Sequence, residues 1–171
     1  GHPPPTGRVG GGAVLDPGPD VYSVVVATDD ELSAAAWAND DELFVAVSDG
    51  RGVEWSDPVM LDSGASYALM DRHRSSSVHV FGDAIYMLWI RQQGLQSEPY
   101  FTRSLDRGAT WSTPVAVDGT AGPDFTFSYG FECHAEAHPT GDRLYVLWFE
   151  GDSGDDRVVL AVSYDGGASF D

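Results

Sequence analysis

The chain has 171 residues, of which 42% are hydrophobic and 12% aromatic, enough to build a packed core and to exclude wholesale disorder. No apolar run approaches the roughly 18 residues of a membrane-spanning helix. Asp and Glu number 27 against nine Arg and no Lys, a net charge of −18 that disfavours phosphate backbones and anionic lipid and so excludes a nucleic-acid or membrane-surface role.

In chain order, residues 1–12 read as a flexible Pro/Gly-rich arm whose Gly1-His2 start looks like a cloning remnant. Ala13-Val14-Leu15-Asp16 is a short apolar strand. Strands follow at Tyr22 to Ala27, Leu32 to Trp37, Leu43 to Ser48 and Val59 to Leu61. A second set runs Ser75 to Phe81, Ala84 to Ile90, Tyr100 to Ser104 and Pro114 to Val117, with a polar loop expected from Arg91 to Glu98. The Ala84 to Ile90 run is apolar on both faces, as expected of a strand between two packed layers. A third set covers Cys133 to His138, Leu144 to Trp148 and Val158 to Ser163. Twenty Gly and ten Pro punctuate these runs, and no long helix is visible. Cys133 is alone, so no internal disulfide can form.

The sets are copies of one another. Ser48 to Val59, Ser104 to Val115 and Ser163 to Phe170 align, and Trp37, Trp89 and Trp148 recur upstream. Three repeats of about 55 residues, near 17–62, 63–118 and 119–171, account for nearly the whole chain. Repeated four-stranded sheets are the pattern of a β-propeller.

The octet Ser104 to Trp111 reads Ser-x-Asp-x-Gly-x-Thr-Trp and resembles the Asp-box, or BNR repeat, of sialidase-like β-propellers. Ser163 to Phe170 matches with Ser for Thr and Phe for Trp, while Ser48 to Trp55 has Gly50 in place of the Asp and Glu54 in place of the Thr. Turn chemistry supports a structural role for Ser104, Asp106, Gly108 and Trp111, and for Ser163, Asp165, Gly167 and Phe170: short polar side chains bond local amides, Gly supplies the unusual backbone, and the ring is buried. The resemblance implies an all-β propeller with three four-stranded Asp-box blades per chain. Three blades cannot close a ring. The Ala13 to Asp16 segment resembles Val59 to Asp62 and Val115 to Asp118, and the third repeat stops before an outer strand. Two chains are therefore expected to form a six-bladed homodimer, each N-terminal strand completing its partner's last blade.

In the resembled family the boxes lie opposite the active face, which carries the loops leading from outer to next inner strand (Asp62 to Ser75, Asp118 to Glu132) and from second to third strand (Arg91 to Glu98, Glu150 to Arg157). Sialidase chemistry uses an Arg clamp for a substrate carboxylate, a Tyr nucleophile activated by Glu, and an Asp acid/base. Arg72, Arg74 and Arg91 are placed for the clamp, with Tyr129 and Glu132 as the nucleophile pair and Asp71 as the acid/base. The family's Arg-Ile-Pro signature is absent. Phe125 and Phe127, with Tyr129 and Phe131, could stack on a sugar ring or pack over the propeller mouth. His134, Glu136 and His138 alternate along one strand with ligand-compatible spacing, but they read as hydrogen-bonded inner-strand groups. Asp152 to Asp156 reads as a solvated turn. No metal or cofactor is expected.

The functional reading is a glycan-binding or scaffold propeller, with an exo-acting sialidase-type glycoside hydrolase as the alternative. Fold alone does not separate them. A secreted, extracellular or periplasmic setting is expected, with a carbohydrate as the possible ligand. The dense carboxylates suit either an acidic secreted protein or one adapted to high salt.

Overall fold

A computed structural model describes residues 14–15, 21–39, 42–49, 52–63, 76–93, 96–117, 134–137, 143–150 and 157–171. Among the described residues every regular element is a strand, and every pairing is antiparallel. The first sheet has the order β1(Val21–Thr28), β2(Leu32–Asn39), β3(Glu42–Asp49), β4(Val59–Ser63). The second has β5(Ser76–Phe81), β6(Ala84–Gln93), β7(Gln96–Ser104), β8(Val115–Ala116). The third comprises β9(His134–Ala137), β10(Leu144–Glu150) and β11(Arg157–Ser163) among the described residues. No described helix is long and apolar enough to cross a membrane.

The repeats share one register. The leading octet serines pair with Ser33, Ile85 and Leu144, and four positions further along the same strands stand Trp37, Trp89 and Trp148. Their cross-strand partners are Phe44, Tyr100 and Val159. Because strand side chains alternate, this register gives each sheet two distinct faces. One face of the first sheet (Leu32, Ala34, Ala36, Leu43, Val45) packs on Val78, Ile85, Met87 and Trp89 of the second. The opposite face of the second (Tyr86, Leu88, Ile90, Phe101) packs on Leu144, Val146 and Ala161 of the third. Burial on both sides explains why β6 reads as a nearly continuous apolar run. Strand β1 contacts β5, and β5 contacts β9, so the first strands of the sheets lie beside one another.

One expectation is corrected. Arg91 to Glu98 is not a loop: β6 runs to Gln93, β7 starts at Gln96, and their ladder pairs Arg91 with Glu98 and Gln92 with Ser97. The polar side chains do not end the strand, because backbone pairing does not require apolar side chains. Strand β10 likewise extends past Trp148 to Glu150.

Candidate functional site

The two ends of the sheets differ in chemistry. The octets occupy the end where each third strand finishes. In the second sheet Ser104 Oγ donates to Asp106 Oδ1 (2.8 Å) and accepts from the Gly108 N–H (2.8 Å). The other donors to Asp106 are the Thr110 N–H (2.8 Å) and hydroxyl (2.6 Å). The third sheet repeats the arrangement. Ser163 Oγ donates to Asp165 (2.7 Å), Gly167 N–H donates to Ser163 Oγ (2.7 Å), and Ser169 donates to Asp165 through its N–H (3.0 Å) and hydroxyl (2.7 Å). Gly108 and Gly167 hold φ of 85° and 92°, which residues with a Cβ resist. Hydrogen bonds from Thr110 and Ser169, foremost among the causes, hold the Asp106 and Asp165 carboxyls below their ordinary range.

Long-range contacts seal this end. Arg107, at φ 59°, donates to Asp83 (2.8 Å), Asp49 (2.8 Å) and the Glu31 carbonyl (3.2 Å), joining the first and second sheets. Its hydrogen bonds to Asp83 and then Asp49 raise its already high pKa. Arg103 donates to the Asp165 and Gly166 carbonyls of the third sheet. Asp29 accepts from the Glu31 and Leu32 N–H groups and from Gly82 of the second sheet (3.1 Å), bonds that lower its pKa, Glu31's foremost.

At the opposite end β4, β6 and β8 finish, β4 and β8 leading to the connections to β5 and β9. There Asp62 of the first sheet meets Arg91 of the second in a two-point contact, Nη2 to Oδ1 at 2.5 Å and Nε to Oδ2 at 3.0 Å. The Trp89 indole N–H donates to the same Oδ2 (2.9 Å), and the Ser63 N–H donates to Oδ1 (3.0 Å). The Arg91 guanidinium also lies 3.9 Å from the Tyr100 ring centroid, and that ring stacks on Trp89 at 6.1 Å. Burial disfavours the Arg91 charge, but hydrogen bonding and charge from Asp62 outweigh it and raise the pKa. With four donors on its two oxygens, Asp62 is saturated as an acceptor. The cluster braces two sheets at this end and leaves no free acid or base of its own.

Of the residues singled out for binding and catalysis, only Arg91 is described, and Asp62 occupies its fork. Asp71, Arg72, Arg74, Phe125, Phe127, Tyr129 and Glu132 lie outside the described residues, as does His138. The strand carrying His134 and Glu136 is present as β9. Among the described residues, no three His, Cys, Asp or Glu side chains cluster in a way that could hold a metal. Sequence reasoning missed Asp62 as a partner. Its signal was the acid closing each outer-strand segment, at Asp16, Asp62 and Asp118, which served only to align the strands.

No protein-family model and no curated protein sequence matches this chain. Several solved structures share its fold, among them two α-L-arabinofuranosidases. The catalytic domain of the Coprinopsis cinerea GH62 α-L-arabinofuranosidase is 10% identical over 91% of this chain and 57% of its own length, with a TM-score of 0.50. A Podospora anserina α-L-arabinofuranosidase in complex with cellotriose is 9% identical over 84% of this chain and 53% of its own, also with a TM-score of 0.50. This chain therefore spans little more than half the length of each. Both are glycoside hydrolases with a five-bladed, β-propeller-like fold, and the likeness identifies the antiparallel sheets here as propeller blades.

Proposed function

We propose that the chain is a carbohydrate-binding propeller module of the sialidase-like, Asp-box kind. The observation carrying this reading is the contrast between the two ends of the blades. The octet end is closed by Arg103, Arg107 and Asp29, whereas the other end is a rigid platform of Asp62, Arg91, Trp89 and Tyr100. A ligand site is best built on such a platform, with variable connections above it. The connections from β4 to β5 and from β8 to β9 carry Arg72, Arg74, Phe125 and Phe127. Guanidinium groups and aromatic rings suit an acidic or pyranose sugar.

The fold shared with two arabinofuranosidases supports a second reading, a glycoside hydrolase using Asp71, Tyr129 and Glu132. Binding without turnover is preferred because the Arg91 fork is already held by a carboxylate of the chain itself, which leaves only Arg72 and Arg74 of the proposed clamp. For assembly, we propose that three blades form half of a six-bladed ring closed by dimerisation. The Ala13 to Asp16 segment would serve as the partner's outer strand, since it resembles Val59-Met60-Leu61-Asp62 of β4.

Glycan-array binding, measured alongside release of fluorogenic sialosides and arabinofuranosides, tests the function. Binding without turnover, weakened by Arg72→Lys or Arg74→Lys, is the expected result. Turnover abolished by Tyr129→Phe or Glu132→Gln would establish the hydrolase instead, and an array with no bound glycan would overturn the carbohydrate reading.

A further inference from the structure

The fork between Arg91 and Asp62 uses only part of what the guanidinium offers. An arginine carries five N–H donors along two edges. Asp62 takes the edge made by Nε and Nη2, with Oδ2 at 3.0 Å and Oδ1 at 2.5 Å. The other edge, made by Nη1 and the outer hydrogen of Nη2, has no carboxylate or carbonyl partner among the described residues. The Tyr100 side chain also bears on the group, its ring centroid 3.9 Å from the guanidinium carbon. Tyr100 in turn stacks on the buried Trp89, whose indole N–H donates to Asp62. The second edge is therefore held in one orientation. The Arg91 side chain keeps 20% of its surface exposed against 6% for Asp62, so at this end the arginine reaches solvent and the acid does not.

Charge and geometry decide what suits that edge. Asp62 already neutralises Arg91, and the β6–β7 ladder sets Glu98 directly opposite Arg91. One guanidinium thus accompanies two acidic residues, in a chain of net charge −18. A ligand carboxylate would join them as a further negative group, and like charges brought together cost binding energy. The edge itself presents two nearly parallel N–H bonds, which two neighbouring oxygens accept together. Adjacent hydroxyls on a sugar ring supply those oxygens without a charge, and a hydrogen bond from a charged donor stays strong when its acceptor is neutral.

We infer that the second edge of Arg91 binds two adjacent hydroxyls of an uncharged sugar, so that the ligand of this end is a neutral glycan and not a carboxylated one. The inference rests on the carbohydrate-binding reading above and names its ligand class. Asp62 is then a positioning residue. With both oxygens saturated it takes no hydrogen from the ligand, and it fixes which edge of Arg91 is left to the sugar.

A glycan array on the intact chain tests this, with each neutral pyranoside set beside its uronic acid counterpart and its sialylated form. The neutral member should bind roughly tenfold tighter or more, with an affinity that changes little as salt is raised. Carboxylated glycans bound more tightly, or an affinity that collapses with salt, would overturn the neutral-glycan assignment and leave the carbohydrate reading standing. An array with no bound glycan would overturn both. Deoxy analogues of the tightest-bound sugar then locate the contact. Removing either hydroxyl of one adjacent pair should weaken binding by roughly tenfold. Arg91→Lys keeps a charge beside Asp62 but loses the second edge, so it should bind the parent sugar and those two analogues with equal, weakened affinity while still unfolding cooperatively. If Arg91→Lys fails to fold, Arg91→Gln combined with Asp62→Asn leaves no buried charge unpaired and answers the same question. A deoxy penalty that persists in the variant would remove Arg91 as the group that reads the hydroxyls.

Discussion

The second and third octets keep the Asp, and the first has Gly50 in its place. The consequence is visible in the leading serine. Ser104 and Ser163 each bond an Asp side chain and a Gly amide, whereas the buried Ser48 hydroxyl has no hydrogen-bond partner among the described residues. The tryptophans diverge as well. Trp55 folds back to donate to the Gly52 carbonyl of its own turn (3.0 Å). Trp111 packs on the core between the first two sheets and leaves its buried N–H without a described partner. An intact octet is thus a turn and a wedge at once, its Gly pressed against the preceding sheet. The first octet has no described sheet to press against, so nothing there demands the same geometry. All three turns carry a left-handed Gly, so that backbone conformation does not itself require the Asp.

The largest expected effect comes from filling the wedge. Gly108→Ala combines a left-handed backbone with a clash against Val47 and should cost about 2–4 kcal/mol. Gly52→Ala, where the nearest atom is Trp55 at 3.6 Å, should cost only about 1 kcal/mol, from backbone strain. Urea unfolding midpoints measure the difference, and equal losses would erase the distinction between turn and wedge.

A smaller effect is expected at the serines. Ser104→Ala strips the Gly108 N–H of its acceptor and should cost about 1–3 kcal/mol. Ser48→Ala removes a hydroxyl that has no described partner and should lie within about 0.5 kcal/mol of neutral, or stabilise. Restoring the motif with Gly50→Asp should raise the melting temperature and make Ser48→Ala costly in that background. A Ser48→Ala variant as unstable as Ser104→Ala would break the comparison.

The smallest effect is the one read from the acid limb of stability. The Asp106 and Asp165 carboxyls titrate below their ordinary range in the folded state, and an unfolded Asp titrates near 3.9. Between the two values the unfolded chain holds a proton that the folded chain has released. Stability is therefore complete above about pH 4 and falls as pH drops toward the folded value. Asp106→Asn and Asp165→Asn should each lower the melting temperature at pH 7 and flatten its decline below pH 4. An unchanged acid limb in both variants would show that the octet carboxylates do not set it.

How much was legible depended on how local the determinant is. The strand cores were readable in order, because period-two runs and Gly/Asp turns leave marks within a few residues. Ala84 to Ile90 announced a strand covered on both faces, and the structure places it between two sheets. The octet turns were readable for the same reason: Asp106 and Asp165 bond side chains only four positions away. The polar end of the β6–β7 hairpin was misread because composition reports exposure more directly than it reports backbone pairing.

The candidate site was less legible. Arg91 was expected to face a ligand, but its partner Asp62 lies 29 positions away on another sheet. With nine Arg among 27 acids, pattern cannot choose the pair. The sequence by itself determined the strands, the three-fold repeat, the register that aligns Trp37, Trp89 and Trp148, and the turn chemistry, since each follows from near neighbours. Only the tertiary structure decided that Arg107 ties Asp83 to Asp49 and that Arg91 is held by Asp62 and Tyr100. These depend on how whole sheets stack, and residues far apart in the chain meet only once that stacking exists.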